Sequence, residues 1–558
     1  MSMYKHIAYS ILLLLTTLAA SAQTPKWAKK VRKAQLSVLT YDAQGQLLHS
    51  TNGFFIDESG TAVSDYSAFR GASRAVAVDE AGHQYAVTRI CGASSLYDVV
   101  LFRVAVGKKC EALNVAQGIA PTGSIAIVMP YITNKSGETT QTVVSEAQTF
   151  NDNYGYYTLP VSLADNYTAC PVMNEAGDVI GLWQPSAKRS DEKSYAVSAT
   201  FATSLSTNAL SANSNDLRDI HIPKALPTDA GQATSFIYLV GTRDTSLYLT
   251  YVGDFIEQFP TETSGYTMKA EMLAAQRQYD AADATWEAGL KAAAQTDELL
   301  YSRARTVYAA AQVPSESTPG SWTLDAALAD ITKAKAANDL PLYTALEGHI
   351  LYAQQQYSDA AARFELVCTT NLRSAEHFLY AAQCHQMLAD TLGALALQDS
   401  AVACFTKPYV SDAAPSLLMR ATTLLSLHRY REAVGDLLDY EYVVGTQLNS
   451  NFYYQRSQAA LHCRMFPQAL SDLEQAARLT PDEPLFHAEL AALHYRFGNY
   501  DEAVLAANTA IRLDANFADA HRILGVCLKA QGKEAEARAA LQRAADLGDE
   551  LAKQMLAQ

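Results

Sequence analysis

The sequence of 558 residues has no basic excess, no membrane-length apolar run beyond its extreme N-terminus, and no closely spaced cysteine pair. Lysine and arginine total 43 against 58 aspartate and glutamate, a net charge of −15. Nucleic acid is excluded as an expected partner, because phosphate binding needs a basic face. A multispan membrane protein is excluded as well, since each crossing takes ~20 apolar residues. None of the cysteines stands in C-x-x-C or in a Cys/His pattern with zinc spacing, which argues against thioredoxin-type redox chemistry and against a metal. No Gly-rich phosphate loop occurs, so no nucleotide is expected, nor any other cofactor. What remains is an ordinary globular composition, 49% hydrophobic and 18% charged, long enough for about three or four domains.

At the N-terminus, Lys5 and His6 precede the apolar run Ile11–Leu18, and small residues follow to Ala20-Ser21-Ala22. A short basic region, a short apolar core and an A-x-A site predict a secretory signal peptide over residues 1–22, cut before Gln23. No Cys follows the site, so a lipid anchor is not expected, and no membrane span would remain after cleavage. The expected location is across the inner membrane, periplasmic or extracellular. Export permits disulfides, and Cys91 and Cys110, which flank one strand, are the candidate pair. Cys368, Cys384, Cys404, Cys463 and Cys527 fall on helical apolar faces, where a small buried residue is the plainer reading.

Two periodicities divide the rest. Up to about residue 210, short runs of β-branched and aromatic residues alternate with turn clusters: Tyr41-Asp42-Ala43-Gln44-Gly45, Asp57-Glu58-Ser59-Gly60, Asp79-Glu80-Ala81-Gly82 and Asn174-Glu175-Ala176-Gly177. Acidic or amide residues followed by Gly between apolar strands are hairpin signals, and many short strands imply a barrel or sandwich. After about residue 225, apolar residues recur at three and four, the helical spacing. Residues 211–226 are polar with one proline and are expected to be a linker. Residues 227–262 are expected to be a helical adaptor, broken at Gly241-Thr242-Arg243-Asp244 and stopped by Pro260.

The helical half repeats. Gly525 and Ala537 match Ala491 and Ala503, then Ser457 and Ala469, at a spacing of 34. An aromatic-x-x-Ala sign recurs at Tyr279, Tyr357, Tyr430, Phe466 and Tyr500. A 34-residue helix–turn–helix period with small residues at fixed places resembles the tetratricopeptide repeat. The repeats are expected over residues 263–551 in about eight units: 263–296, 297–340, 341–374, 375–413, 414–449, 450–483, 484–517 and 518–551. The second unit carries the Ser/Pro-rich insertion Val313–Trp322. Arrays of this kind bind extended peptides or partner domains on a concave surface built from the first helix of each unit. The repeat phase gives Tyr352, Gln383, Tyr454, Gln458, Tyr495 and Arg522 as groove candidates for a protein or peptide partner, Tyr and Arg being favoured interface anchors. An ordinary solvated face is the plainer alternative for each.

The N-terminal half resembles, over residues 30–210, the trypsin-like serine proteases of the HtrA/Deg type. Three stretches carry the likeness. Asn52-Gly53-Phe54-Phe55-Ile56-Asp57-Glu58-Ser59-Gly60 followed by Thr61–Ser67 is similar to the G-F-F-I-x-x-x-G hairpin that leads to the family's catalytic His. Tyr97-Asp98-Val99-Val100-Leu101-Phe102-Arg103-Val104 is similar to the D-I/L-A-L/V-L-x-V strand whose Asp orients that His. Asn166–Val172, then Asn174–Gly181, is similar to G-N-S-G-G/S-P-V/L-x-N-x-x-G-x-V-I-G, which carries the nucleophile and oxyanion hole. The resemblance implies a double β-barrel, so the expected architecture is an all-β trypsin-like domain followed by an all-α repeat solenoid.

The matching positions lack the chemistry. A Ser hydroxyl must pass its proton to an imidazole while it attacks. Ser67 stands at the His place, Thr168 at the nucleophile place, and Asn166 and Ala169 replace flanking glycines; Asp98 alone is kept. His49 and His83 are in no matching context and read as exposed strand-end residues. Cys170 lies one residue before Pro171, whereas the nucleophile lies three before it, so burial is its expected fate. The companion PDZ domain of that family has no counterpart. The expected function is therefore an exported, non-catalytic binding scaffold, a pseudoprotease joined to repeats that recruit protein partners. The rival expectation is a peptidase with a rebuilt site using Thr168 or Cys170, and a third is a barrel that merely caps the solenoid.

Overall fold

The computed structural model describes residues 26–131, 139–188, 191–241, 245–445 and 448–557. The expected signal peptide lies outside them. The chain forms two compact units, one reaching Ala294 and the other beginning at Gln295.

The first unit opens with a short helix, Ala28–Ala34, and thirteen strands follow among the described residues. The first six are β1 (Gln35–Tyr41), β2 (Leu47–Phe55), β3 (Thr61–Ser64), β4 (Arg74–Val78), β5 (Gln84–Ser94) and β6 (Val99–Val104). They close into a barrel in the order β1-β2-β3-β6-β5-β4. The rest are β7 (Ile125–Val128), β8 (Thr140–Val143), β9 (Glu146–Phe150), β10 (Tyr154–Leu159), β11 (Pro171–Met173), β12 (Val179–Gln184) and β13 (Ser194–Ser198). Their sheet runs β8-β7-β11-β12-β13-β10-β9. The strands at its two ends, β8 and β9, are halves of one continuous run. Val144 bonds back to Ser124 on the β7 side, whereas Ser145 donates to Thr158 on β10. Counting β8 and β9 as one bent strand, the cyclic order is the same as in the first barrel. Two barrels of like topology are consistent with the trypsin-like fold.

One turn chemistry sets the hairpins. Asp42 accepts the N–H groups of Gln44 and Gln46, Asp57 those of Ser59 and Thr61, Asp79 those of Ala81 and His83, and Asn174 that of Asp178. The side chain thus satisfies amides that a tight turn strands. Each turn closes on a glycine with positive φ; at Gly177 it is 88° and the indole of Trp27 covers the Cα.

Three apolar clusters hold this region. Phe69, Phe102, Val38 and Ile90 fill the first barrel, and Tyr157, Trp183, Val172 and Leu159 the second. Phe54, Val63 and Leu101 from one barrel meet Met173, Leu182 and Val197 from the other. Burial of such side chains, ~1.5–3 kcal/mol each, is the main force fixing the barrels.

The stretch expected to be a linker is docked instead. Leu217, Ile220 and Ile222 are buried in the core of the first barrel. Gly71 donates to Asp219, His221 to Ala72, Ile90 to Pro223 and Ala225 to Ile90, all backbone bonds of 2.7–2.8 Å. The physical reason is the alternation Ile220-His221-Ile222, which sends both isoleucines inward along an extended chain. Lys224 donates to the carbonyls of Ile220 and Ile222, and burial lowers its pKa to about 8. Two helices, Ala230–Gly241 and Thr245–Gln258, then pack around Phe236, Tyr251 and Phe255. Asp254 on the second takes the Arg89 guanidinium in a bidentate pair at 2.8 Å. The helix pair Thr263–Ala275 and Tyr279–Ala292 completes this unit.

The second unit holds seven further helix pairs among the described residues, beginning at Asp297, Pro341, Ala375, Ala414, Ser450, Pro484 and Ala518, with Glu550–Ala557 closing the array. Small residues lie where the two helices of a pair touch: a Cβ at Gly525 would meet the Leu541 side chain at 2.6 Å, and Ala469 and Ala503 are wholly buried. An ion pair joins the seventh residue of the first helix to the seventh of the second in four pairs. Arg303 meets Asp330, Arg420 meets Asp436 and Arg456 meets Asp472, each bidentate. In the pair beginning at Pro341 the charges are exchanged, and Arg363 meets Glu347 at 3.0 Å.

Candidate functional site

The protease-like motifs converge where the barrels face one another. After β3, the buried carboxylate of Asp65 accepts the Thr51 hydroxyl and the amide of Ala68, which fixes the short turn Ser67–Phe69. Burial pushes the Asp65 pKa up. Ser67 is thereby set against Asp98, whose Oδ1 accepts both its amide and its hydroxyl at 2.7 Å. Asp98 holds φ at 53°, a left-handed conformation just before β6. The carboxylate that would orient a histidine is thus satisfied by a serine.

Thr168 follows the turn Asp165–Tyr167. Its hydroxyl donates to the Asp165 carbonyl at 2.8 Å, and its amide donates to the same carbonyl at 3.0 Å. Around it, the amide of Tyr167 donates to Ala164, that of Ala169 to Trp183 and that of Cys170 to Tyr167. Four successive N–H groups are directed into the protein. An oxyanion hole needs free donors aimed at the reacting oxygen; none of these four is free. Ala169 has φ of 59°, where a Cβ is strained. Asn52, on β2, donates to the carbonyls of Asn166 and Thr168 at 2.8 Å and so ties the first barrel to this loop. The Ser64 hydroxyl donates in turn to the Asn52 carbonyl.

Other candidates lie apart from this chemistry. Cys170 is wholly buried, and burial pushes its pKa up to about 12; the nucleophilic thiolate is not formed there. His83 Nδ1 pairs with Asp79 at 2.9 Å, and exposed His49 sits opposite Thr40 in β2. Neither is a partner of Thr168. The expected disulfide is corrected: Cys91 and Cys110 are free thiols. Cys91 packs against the cluster between the barrels, whereas Cys110 packs on the core of the first barrel and donates to the Asp57 carbonyl. Among the described residues, no group of three or more His, Cys, Asp or Glu side chains is placed to hold a metal ion.

The six groove candidates all stand on first helices of their pairs. Tyr352 is half-buried with its ring 5.4 Å from Tyr357, and Tyr454 lies 5.3 Å from Phe486 of the next pair. Gln383 is half-buried, and Gln458 faces Glu489. Tyr495 is exposed and rests 5.8 Å from Tyr500. Arg522 is spent on Asp549, at 2.7 Å, and on Asp519. Sequence reasoning missed Asn52 and Asp165 at the barrel site. The N-G-F-F motif begins with Asn52, but a side chain's distant partner leaves no local mark.

No helix among the described residues is long and apolar enough to cross a membrane. The family model of the tetratricopeptide repeat matches residues 454–516 and 489–552, over the last three helix pairs and the start of the closing helix. Nothing among curated proteins matches the chain.

Proposed function

We propose that the chain is an exported, non-catalytic binding scaffold in which a trypsin-like pseudoprotease is joined to tetratricopeptide repeats that recruit a protein partner. Repeats of this family generally bind proteins on their concave side, and their presence over residues 454–552 supports the recruiting role. The observation that carries the pseudoprotease half is the closed hydrogen-bonding of residues 167–170. The Thr168 hydroxyl and the neighbouring amides already have backbone acceptors, and Asp98 already holds Ser67. Attack on a peptide carbonyl would require the hydroxyl to be handed to a base and the amides to be turned outward. Losing members of such a unit costs ~10³–10⁶ in rate. The leader read at residues 1–22 supports passage across the inner membrane, to the periplasm or beyond.

The full chain, purified without residues 1–22, should release no fluorescence from labelled casein above a buffer control. Crosslinking in intact cells followed by mass spectrometry should join a protein partner to peptides bearing Tyr352, Tyr454 or Tyr495. Casein cleavage abolished by Thr168→Ala would overturn the non-catalytic reading. Crosslinks confined to the barrels would overturn the recruiting role of the repeats.

A further inference from the structure

In each repeat pair the eighth residue of the second helix is buried. Every other pair among the described residues puts an apolar side chain there, as Trp286, Phe364, Leu437 and Leu473 show. The pair Ala375–Met387 and Thr391–Val402 puts Gln398 there instead. Gln398 is 0% exposed, and neither its Oε1 nor its Nε2 has a hydrogen-bond partner among the described residues. An amide so placed gives up its bonds to water and receives none in return. Native proteins keep few such groups, and each calls for a reason.

Two further features set the same pair apart. Its turn leaves Met387, Leu388 and Leu392 outside, at 56%, 48% and 70% exposed, so apolar area that would stabilise the pair is not buried. Its exit, residues 403–413, is long and mostly exposed, whereas 480–483 and 514–517 suffice to join later pairs. Phe405 and Tyr409 anchor that exit on the cluster of Leu417 in the following pair. The first helix is held from both sides, His385 by Glu365 of the preceding pair and Gln386 by Thr423 of the following one. The second helix thus combines a weak interior with a long tether. Stability in a repeat array is a sum of local and nearest-neighbour terms, so a local deficit lowers the cost of opening at that place. We propose that helix Thr391–Val402 is a joint of the array, lifting from its pair ahead of the second helices on either side. Of the groove candidates, Tyr352 precedes it, and Tyr454, Gln458, Tyr495 and Arg522 follow it, so its movement changes the spacing between the two parts of that surface. The lifting itself does not depend on what the surface binds.

Hydrogen exchange of the full chain, read by mass spectrometry and corrected for intrinsic amide rates, tests this. The amides of Thr391–Val402 should exchange about tenfold or more faster than those of Tyr357–Cys368 and Tyr430–Val444, a tenfold ratio being equivalent to ~1.4 kcal/mol. Gln398→Leu, which installs the kind of residue the neighbouring pairs carry, should slow Thr391–Val402 by about tenfold and leave Tyr430–Val444 unchanged. Gln398→Met, closer to glutamine in shape, should do the same and decides the matter where leucine does not fit. Exchange in Thr391–Val402 no faster than in the two flanking helices, or exchange there slowed by neither variant, would overturn the proposal.

Discussion

Breaking the ion pair of Arg456 and Asp472 should destabilise one repeat far more than removing both partners. Each side chain is 2% exposed. The guanidinium gives Asp472 two bonds, of 2.9 and 2.6 Å, and gives the Leu437 carbonyl a third at 3.2 Å. Glu441 lies 2.7 Å away, and Gln468 adds a bond to Asp472. Asp472→Ala strands a buried cation with Glu441 as its remaining carboxylate. Such a loss costs ~3–5 kcal/mol, and the surviving partner places it near the lower end. Replacing both by apolar residues of similar volume, Arg456→Met with Asp472→Leu, should come within ~1 kcal/mol of the native chain. The single variant should thus be about 2 kcal/mol less stable than the double one. Hydrogen exchange read by mass spectrometry localises the effect to helices Ser450–His462 and Phe466–Leu479. Exchange there should quicken about a hundredfold in Asp472→Ala, taking ~1.4 kcal/mol per tenfold, and less than tenfold in the double variant. A double variant as fast as the single, or the sum of two independent singles, would refute the account.

Three other outcomes are expected. Installing Ser67→His with Thr168→Ser should leave casein cleavage at background, because the amides of residues 168 and 169 keep their backbone acceptors; cleavage well above background would show that the loop opens. His385 is held by Asp390 at Nδ1 and Glu365 at Nε2, both at 2.7 Å. Burial opposes its charge, but the two carboxylates outweigh burial and its pKa is raised. Its stabilising effect is therefore full below the ordinary histidine pKa of about 6.5 and is lost as pH rises through the elevated folded value. The Tm difference between the native chain and His385→Gln should shrink over that rise, and a constant difference would contradict the assignment. Finally, thiol titration of the denatured chain without reductant should count all eight cysteines as free.

How much of this was written locally in the chain differs from element to element. The four hairpins are legible because an Asp or Asn and a Gly three residues on carry the whole turn within five residues. The repeats are legible because a buried Ala recurs at a fixed interval. The exchanged and regular ion pairs were equally open to reading, since Arg420 precedes Asp436 and Arg456 precedes Asp472 by the same step. The docked stretch 217–226 was hidden by its Ser, Asn and Asp neighbours, although Ile220 and Ile222 alternate as a buried strand does. At the candidate site, Ser67 and Thr168 are visible as replacements. Whether the Thr168 hydroxyl points outward is decided by the turn at Asp165, and no spacing rule contains that.

The docking of Ile220 and Ile222 into the first barrel bears on how such a chain can be divided or recombined. A cassette ending near residue 210 would leave two isoleucine-sized vacancies in the core it was meant to preserve, and would cut away the carbonyl and amide that complete the edge at Ile90. The heritable module is therefore longer than its strands. Gene fusions that exchange the barrel for another must carry the tail as far as Leu226, or they inherit a core with its last pieces missing.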